Sequence, residues 1–320
     1  MILAKKVIAE ELIQFETHFK EAVKSRVPLL DRIMQYIVSR KGKQMRPMFV
    51  LLSAKLGGEI NESTYRAASL VELVHTATLV HDDVVDDSME RRRFFSVNAL
   101  WKNKVAILVG DYLLSKGLLL SLTNKDHQVL EILTEAFKLM SEGELLQFEK
   151  SRNLNLKEDT YYEIIKGKTA SLLASACAAG ASTTFEKLED VEKLKLFGEK
   201  VGMAFQIKDD LFDYGTKGIG KPTGNDIKEK KLTLPLIYTL NNCSPEIRKK
   251  LIYIVKNENT KKDKVQFIFD SVEQSGGIRY ATTKMLAFRD EALQILYQFP
   301  DSSIREALEE LVRFTTDREY

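Results

Sequence analysis

The apolar positions of this chain recur every three or four residues over most of its length, the spacing of one face of an α-helix. From Thr64 to Val85, "TYRAASLVELVHTATLVHDDVV", apolar or small residues fall on most faces. That predicts a helix buried nearly all round and ending in acids. The stretches Ala99–Leu122, Asp126–Lys150, Asp159–Ala181 and Lys187–Tyr214 read the same way, as does the C-terminal segment from Ser303. No run alternates strictly between apolar and polar, and no strands interleave with the helical segments. Only six prolines and sixteen glycines interrupt 320 residues, so the pattern predicts an all-α chain of ten or more helices. No linker separates two cores, and residues 1–320 are expected to form a single domain. The longest loop-like stretch is Gly215–Lys231, "GTKGIGKPTGNDIKEKK", rich in glycine and lysine.

Composition narrows the choices. At 44% hydrophobic the chain can bury a large core. A formal charge of only +2 creates no global field for nucleic acid, so any electrostatic function is local. Cys177 and Cys243 lie far apart and form neither a disulfide framework nor a zinc spacing, which fits a reducing cytoplasm. The N-terminal "MILAKKVIAEELIQFETHFKEAV" carries acids within its apolar pattern and no cleavage site, unlike a signal peptide. The most apolar run, Thr169–Ser182, is shorter than the ~20 residues of a bilayer span. A cytoplasmic location is expected.

The candidate chemistry lies in two acidic clusters. "HDDVVDD" supplies Asp82, Asp83, Asp86 and Asp87; "QIKDDLFDY" supplies Asp209, Asp210 and Asp213. Both contain D-D-x-x-D, whose first and last members share one helix face. Carboxylates one turn apart repel each other without a counter-cation. Magnesium is the natural partner, because it takes one or two carboxylates and fills its shell with water and phosphate oxygens. Solvated acidic helix ends are the plain alternative. The helix dipole disfavours acids there, however, and solvated faces usually mix signs. The glycine and distal glutamate of a calcium loop are absent. "GTKGIGKP" nearly matches a nucleotide-binding P-loop, but Pro222 stands where the hydroxyl residue belongs and no strand precedes it.

Bases accompany the acids. Arg91 and Arg92 follow the first cluster. "RKGKQMRP" offers Lys43 and Arg46, "KGKTA" offers Lys168 beside Thr169, and "KEKKLTLP" offers Lys231. Each alone reads as a solvated surface base. Together they point to two anion sites, one reached through metal and one through bare Lys and Arg. His75, two turns before Asp82, is either a core histidine or part of the site.

In order and spacing, "GKQMRP", "ELVHTATLVHDDVVDDSMERR", "VGDYLL", "KTA", "FQIKDDLFD" and "GKPTGNDIKEKKLTLP" resemble the trans-prenyltransferase (polyprenyl diphosphate synthase) family over essentially the whole chain. The resemblance implies the isoprenoid synthase helical bundle around a deep central cavity, about three Mg ions per site and a homodimer. It implies that Asp82, Asp83, Asp86 and Asp209 hold an allylic diphosphate through metal, with Asp210 and Asp213 supporting the second metal face. Arg91, Lys168 and Lys231 would contact that diphosphate. Lys43, Arg46, His75 and Arg92 would bind isopentenyl diphosphate. Gln206 and Phe205 would sit beside the allylic group. Two positions depart from the family pattern, Arg93 and Lys230, where glycine is usual. A class I terpene cyclase, a non-catalytic partner subunit and a shorter-chain synthase are the alternatives. The first usually lacks the second D-D-x-x-D, and the second loses both motifs.

The resemblance also bears on product length. Ala77 and Thr78 lie one turn before Asp82, about 6–7.5 Å deeper along the helix, and are expected to face the growing tail. Both are small where family members that stop early carry bulky aromatics. A product of about thirty to forty carbons is therefore expected, passed on to a membrane, with the channel left open past that turn.

Overall fold

The computed structural model describes residues 1–40, 42–91, 94–153, 157–215 and 224–318. Sixteen α-helices occupy the described residues: α1 (Ile2–Val7), α2 (Ala9–Val23), α3 (Pro28–Ser39), α4 (Met45–Gly57), α5 (Glu62–Val85), α6 (Val97–Thr123), α7 (His127–Asn153), α8 (Glu158–Ile165), α9 (Ser171–Ala181), α10 (Leu188–Phe212), α11 (Asn225–Lys228), α12 (Leu234–Asn242), α13 (Pro245–Asn257), α14 (Lys262–Ser275), α15 (Gly277–Leu296) and α16 (Ser303–Asp317). The all-α expectation holds. One small departure is an antiparallel pair, β1 (Glu90–Arg91) and β2 (Phe94–Phe95), in which Arg91 faces Phe94. It is too short to leave an alternating pattern in the sequence.

The helices form two compact units, the first of residues 1–137, 175–195 and 299–311, the second of 138–174, 196–298 and 312–320. In the first, α5 and α6 pack along their length around Leu73, Ala77, Val80, Ala106, Val109 and Leu113. Glycines permit the close approach: a Cβ on Gly117 would lie 2.6 Å from Leu70 Cδ1, and one on Gly110 would lie 2.1 Å from His81 Nε2. Asn61 starts α5 with a capping box to Thr64, leaving the acidic end of the helix as its C-terminus. The opposite face of α6 keeps Ile107, Leu108, Leu118, Leu119 and Leu122 exposed. By length and composition α6 is also the one described helix apolar enough to cross a membrane.

The second unit packs around Tyr161, Met203, Ile207, Tyr214, Leu234 and Ile237. Between α8 and α9 the backbone widens into a π-helix over Lys166–Ala170, "KGKTA". Glycines again make the room. A Cβ on Gly143 would stand 2.7 Å from Lys168 N, and one on Gly202 would stand 2.5 Å from Ala170 Cα.

Candidate active site

The C-terminal end of α5 separates its aspartates by direction. Asp82 is half-buried and Asp86 exposed, one turn apart on one face. Asp83 points elsewhere. It is 3% exposed, accepts a hydrogen bond from Arg91 Nε at 2.6 Å, and has its carbonyl bound by Asn98 Nδ2 at 3.1 Å. Burial pushes its carboxyl above the usual range, while Arg91 pulls the other way. Asp83 thus braces Arg91 at the end of α5.

His75, two turns earlier, is buried, with Nε2 3.0 Å from Arg46 Nη1. That contact joins α5 to the first turn of α4. Lys43 lies exposed just before it, and Gln44 takes a left-handed φ of 54° to start the helix. Arg92 and Arg93 lie outside the described residues, as do 216–223 of the glycine-rich loop.

In the second unit the acids at the end of α10 also divide. Asp210 is 5% exposed and accepts from Tyr161 Oη at 2.7 Å, Gln206 Nε2 at 3.2 Å and Leu234 N at 3.2 Å. Burial pushes it up to about 6 against those hydrogen bonds. Asp213 Oδ1 accepts from Asn225 N at 2.8 Å, capping α11, and its Oδ2 is buried without a hydrogen-bond partner. Asp226 is pushed up to about 7 by burial and by the charges of Asp210 and Asp213. Asp209, the more exposed member, pairs with Arg318. The Arg318 guanidinium lies 4.3 Å from the Phe205 ring centroid and 5.2 Å from that of Phe212. Asp210 and Asp213 are buried, whereas Asp209, paired with Arg318, is the half-buried carboxylate of this cluster.

Gln206 is held at both ends: Thr169 Oγ1 donates to its Oε1 at 2.8 Å, while its Nε2 donates to Asp210. Lys168, inside the π-helix, rests on Glu144 at 2.5 Å and Gln147 at 3.4 Å. Lys231 rests on Glu229 at 2.5 Å.

The exposed donor set on these helix ends is carboxylate oxygen, which suits a hard divalent cation. Among the described residues no three His, Cys, Asp or Glu side chains converge on one point. Magnesium does not require that, since it takes one or two carboxylates and completes its shell with water and phosphate. Burial raises the carboxyls of Asp83, Asp210, Asp213 and Asp226, and within the second unit the charges of Asp210 and Asp213 raise Asp226 further, a like-charge cost that a bound cation would relieve. The residues present fit magnesium.

The polyprenyl synthetase family profile matches residues 27–272. The chain belongs to the polyprenyl synthetase family. It is a prenyltransferase with the all-α isoprenoid synthase fold. It is 35% identical over 314 residues to the all-trans-nonaprenyl-diphosphate synthase (geranyl-diphosphate specific) of Rhodobacter capsulatus, covering 97% of this chain and 96% of that one. It is similar to the crystal structure of a polyprenyl synthase from Caulobacter crescentus complexed with calcium and isoprenyl diphosphate, with a TM-score of 0.91, 31% identity and 99% and 97% of the two chains covered. It is also similar to that of a geranylgeranyl pyrophosphate synthase from Bacteroides thetaiotaomicron, with a TM-score of 0.85, 35% identity and 99% and 98% covered.

Within this prenyltransferase the two residues expected to set product length part company. Thr78 is half-buried and donates its Oγ1 to the His75 carbonyl at 2.9 Å. Ala77 is 0% exposed and packed toward α6. Five residues of α-helix turn about 500°, placing Ala77 roughly 140° away from Asp82. Sequence reading missed Asp226, although "GND" lay within the quoted loop. It also missed Arg318 and Tyr161, which bear no spacing relation to either motif.

Proposed function

We propose that the chain is a trans-polyprenyl diphosphate synthase that joins isopentenyl diphosphate to an allylic diphosphate under magnesium. The observation that carries this reading is the pair Asp82–Asp86, two carboxylates on one face at the end of a helix that is otherwise core. Asp82 and Asp86 of the first unit and Asp209 of the second are the carboxylates that would hold the metals. Bound magnesium would neutralise the leaving diphosphate and so favour ionisation of the allylic C–O bond.

The remaining steps belong to the protein's own groups. Lys168 and Lys231 exchange their glutamate partners for oxygens of the allylic diphosphate, and Arg91, braced by Asp83, presents its remaining N–H groups to the same anion. Lys43, Arg46 and His75 seat isopentenyl diphosphate. The carboxamide of Gln206, fixed by Thr169 and Asp210, lies with Phe205 beside the allylic group, where an aromatic face stabilises a carbocation. Excluding water lets that cation live until the isopentenyl double bond attacks it. The proton then leaves for the released diphosphate.

Product length is read from Thr78, ~6 Å deeper than the metal face, whose small side chain favours a product of about thirty to forty carbons. Likeness alone does not fix length, since a geranylgeranyl pyrophosphate synthase is as similar as a nonaprenyl one. The exposed apolar stripe of α6 favours a homodimer through that face over a membrane span. The single-domain expectation for residues 1–320 is kept as part of this reading, with the enzyme working in the cytoplasm and passing product to a membrane. A terpene cyclase would have no use for Lys43 and Arg46. Incubating the purified chain with magnesium, isopentenyl diphosphate and an allylic primer, then sizing the dephosphorylated product, tests the whole reading. Absence of any condensation product overturns it.

A further inference from the structure

Arg40 closes α3 at the head of "RKGKQMRP", three residues before Lys43. Its guanidinium lies 3.7 Å from the centroid of the Phe94 ring and 4.6 Å from that of Tyr36. Its Nε is buried without a hydrogen-bond partner. Among the described residues it makes no ion pair. Arg40 lines a cavity of about 120 Å³ together with Gln44, His75 and Arg91. The acids of that cavity do not answer it: Asp83 is bound by Arg91, and neither Glu16 nor Glu72 pairs with Arg40.

Packing alone does not explain this arrangement. Two rings stabilise a cation from its faces, but a guanidinium offers five N–H donors in its plane. A buried donor left unanswered is costly, and an apolar side chain would fill the space between two rings without that cost. The plane of the fork, held by the rings, matches two oxygens of a phosphate group. The neighbours point the same way. His75 is bonded to Arg46, and Lys43 follows Arg40 in the same loop.

We propose that Arg40 is a further contact for the diphosphate of isopentenyl diphosphate, beside Lys43, Arg46 and His75, with Tyr36 and Phe94 as the positioning residues that hold its plane. This rests on the placing of that substrate at Lys43, Arg46 and His75. Stacking removes rotamer freedom before the ligand arrives, so less is lost on binding. The hairpin gives the contact a second consequence. Phe94 is the cross-strand partner of Arg91, which Asp83 braces at the metal face. One short ribbon thus carries the ring that orients Arg40 and the arginine assigned to the allylic diphosphate.

The test is calorimetric titration of isopentenyl diphosphate into the full chain without an allylic partner, so that nothing turns over, followed by steady-state kinetics with farnesyl diphosphate as primer. Arg40→Ala should weaken isopentenyl diphosphate binding roughly tenfold or more, the loss of one charge-assisted phosphate contact. It should raise the Michaelis constant for that substrate and leave the one for farnesyl diphosphate in place. Arg40→Lys should recover part of the loss, since it keeps the charge but not the fork. Phe94→Leu should weaken the same binding by a smaller factor. If Arg40→Ala binds isopentenyl diphosphate like wild type while Arg46→Ala does not, Arg40 lies outside the site and the site itself stands. If neither variant loses binding, isopentenyl diphosphate has been misplaced altogether. Equal losses for both substrates with a lowered Tm would mean that Arg40 is only packing, which also overturns the proposal.

Discussion

Replacing Thr78 with phenylalanine should shorten the product, whereas replacing Ala77 should first loosen the fold. Thr78 stands four residues before Asp82, about 6 Å deeper and about 40° round the helix, so it shares the metal face. Its side chain is half-buried, and its hydrogen bond to the His75 carbonyl at 2.9 Å is worth about 0.5–1.5 kcal/mol. A ring there meets little core and stands in the path of the tail. Ala77 has no free space: it is 0% exposed among Leu73, Val80, Ala106, Val109 and Leu113. Forcing a ring into that packing costs about 1–3 kcal/mol, a fall in Tm of roughly 2–10 °C for a chain of this size. The assay is chromatography of dephosphorylated products made from labelled isopentenyl diphosphate, run beside thermal unfolding of both variants. A Thr78→Phe enzyme with wild-type product length, or an Ala77→Phe enzyme that shortens the product at unchanged Tm, would place the tail on the α6 side of α5 and refute the argument.

Asp82→Ala and Asp209→Ala should each abolish turnover, with a small fall in Tm for Asp209→Ala from the lost pairing with Arg318 and none for Asp82→Ala; a variant retaining most of the wild-type rate would end the metal assignment. Lys43→Ala and Arg46→Ala should raise the Michaelis constant for isopentenyl diphosphate roughly tenfold to a hundredfold, with Lys168→Ala acting mainly on the allylic partner, and equal effects on both substrates would show the bases wrongly apportioned. The raised carboxyls give a pH dependence of stability. Asp210 at about 6 and Asp226 at about 7 hold their protons to higher pH than the unfolded chain does. The native state therefore binds more protons between about pH 4 and 7, and stability contributed there is lost as pH rises. Without divalent metal, Tm should fall from pH 5 to pH 7.5, and Asp226→Asn should flatten the slope. A Tm that climbs across that range contradicts the burial argument.

The helices were legible because their apolar spacing is regular, and both acidic clusters were legible because D-D-x-x-D names a shared face. Spacing says which residues lie together, but not which side of the helix meets the core. Asp83 and Asp210 follow the half-buried Asp82 and Asp209 by one residue, about 100° round the helix, and that rotation turns them inward to Arg91 and to Tyr161. The same limit separated Thr78 from Ala77. Asp226 and Arg318 join the second cluster through tertiary structure, which no local pattern records. The hairpin escaped notice because a two-residue strand has no period.

The π-helix at Lys166–Ala170 has a bearing on how the family can be compared. A π turn accommodates one residue more than the α turn it replaces. Removing one residue from "KGKTA" would restore an ordinary helix while the residues after it keep their facing, because the wider turn takes up the extra residue. An aligned relative without the bulge would show a one-residue gap inside a continuous helix, where gaps are otherwise least tolerated. Gly143 and Gly202, which leave room for the swollen turn, would then be free to vary. The direction in which Lys168 points is set by the count of residues before it, and an insertion or deletion there acts on the site as directly as a substitution.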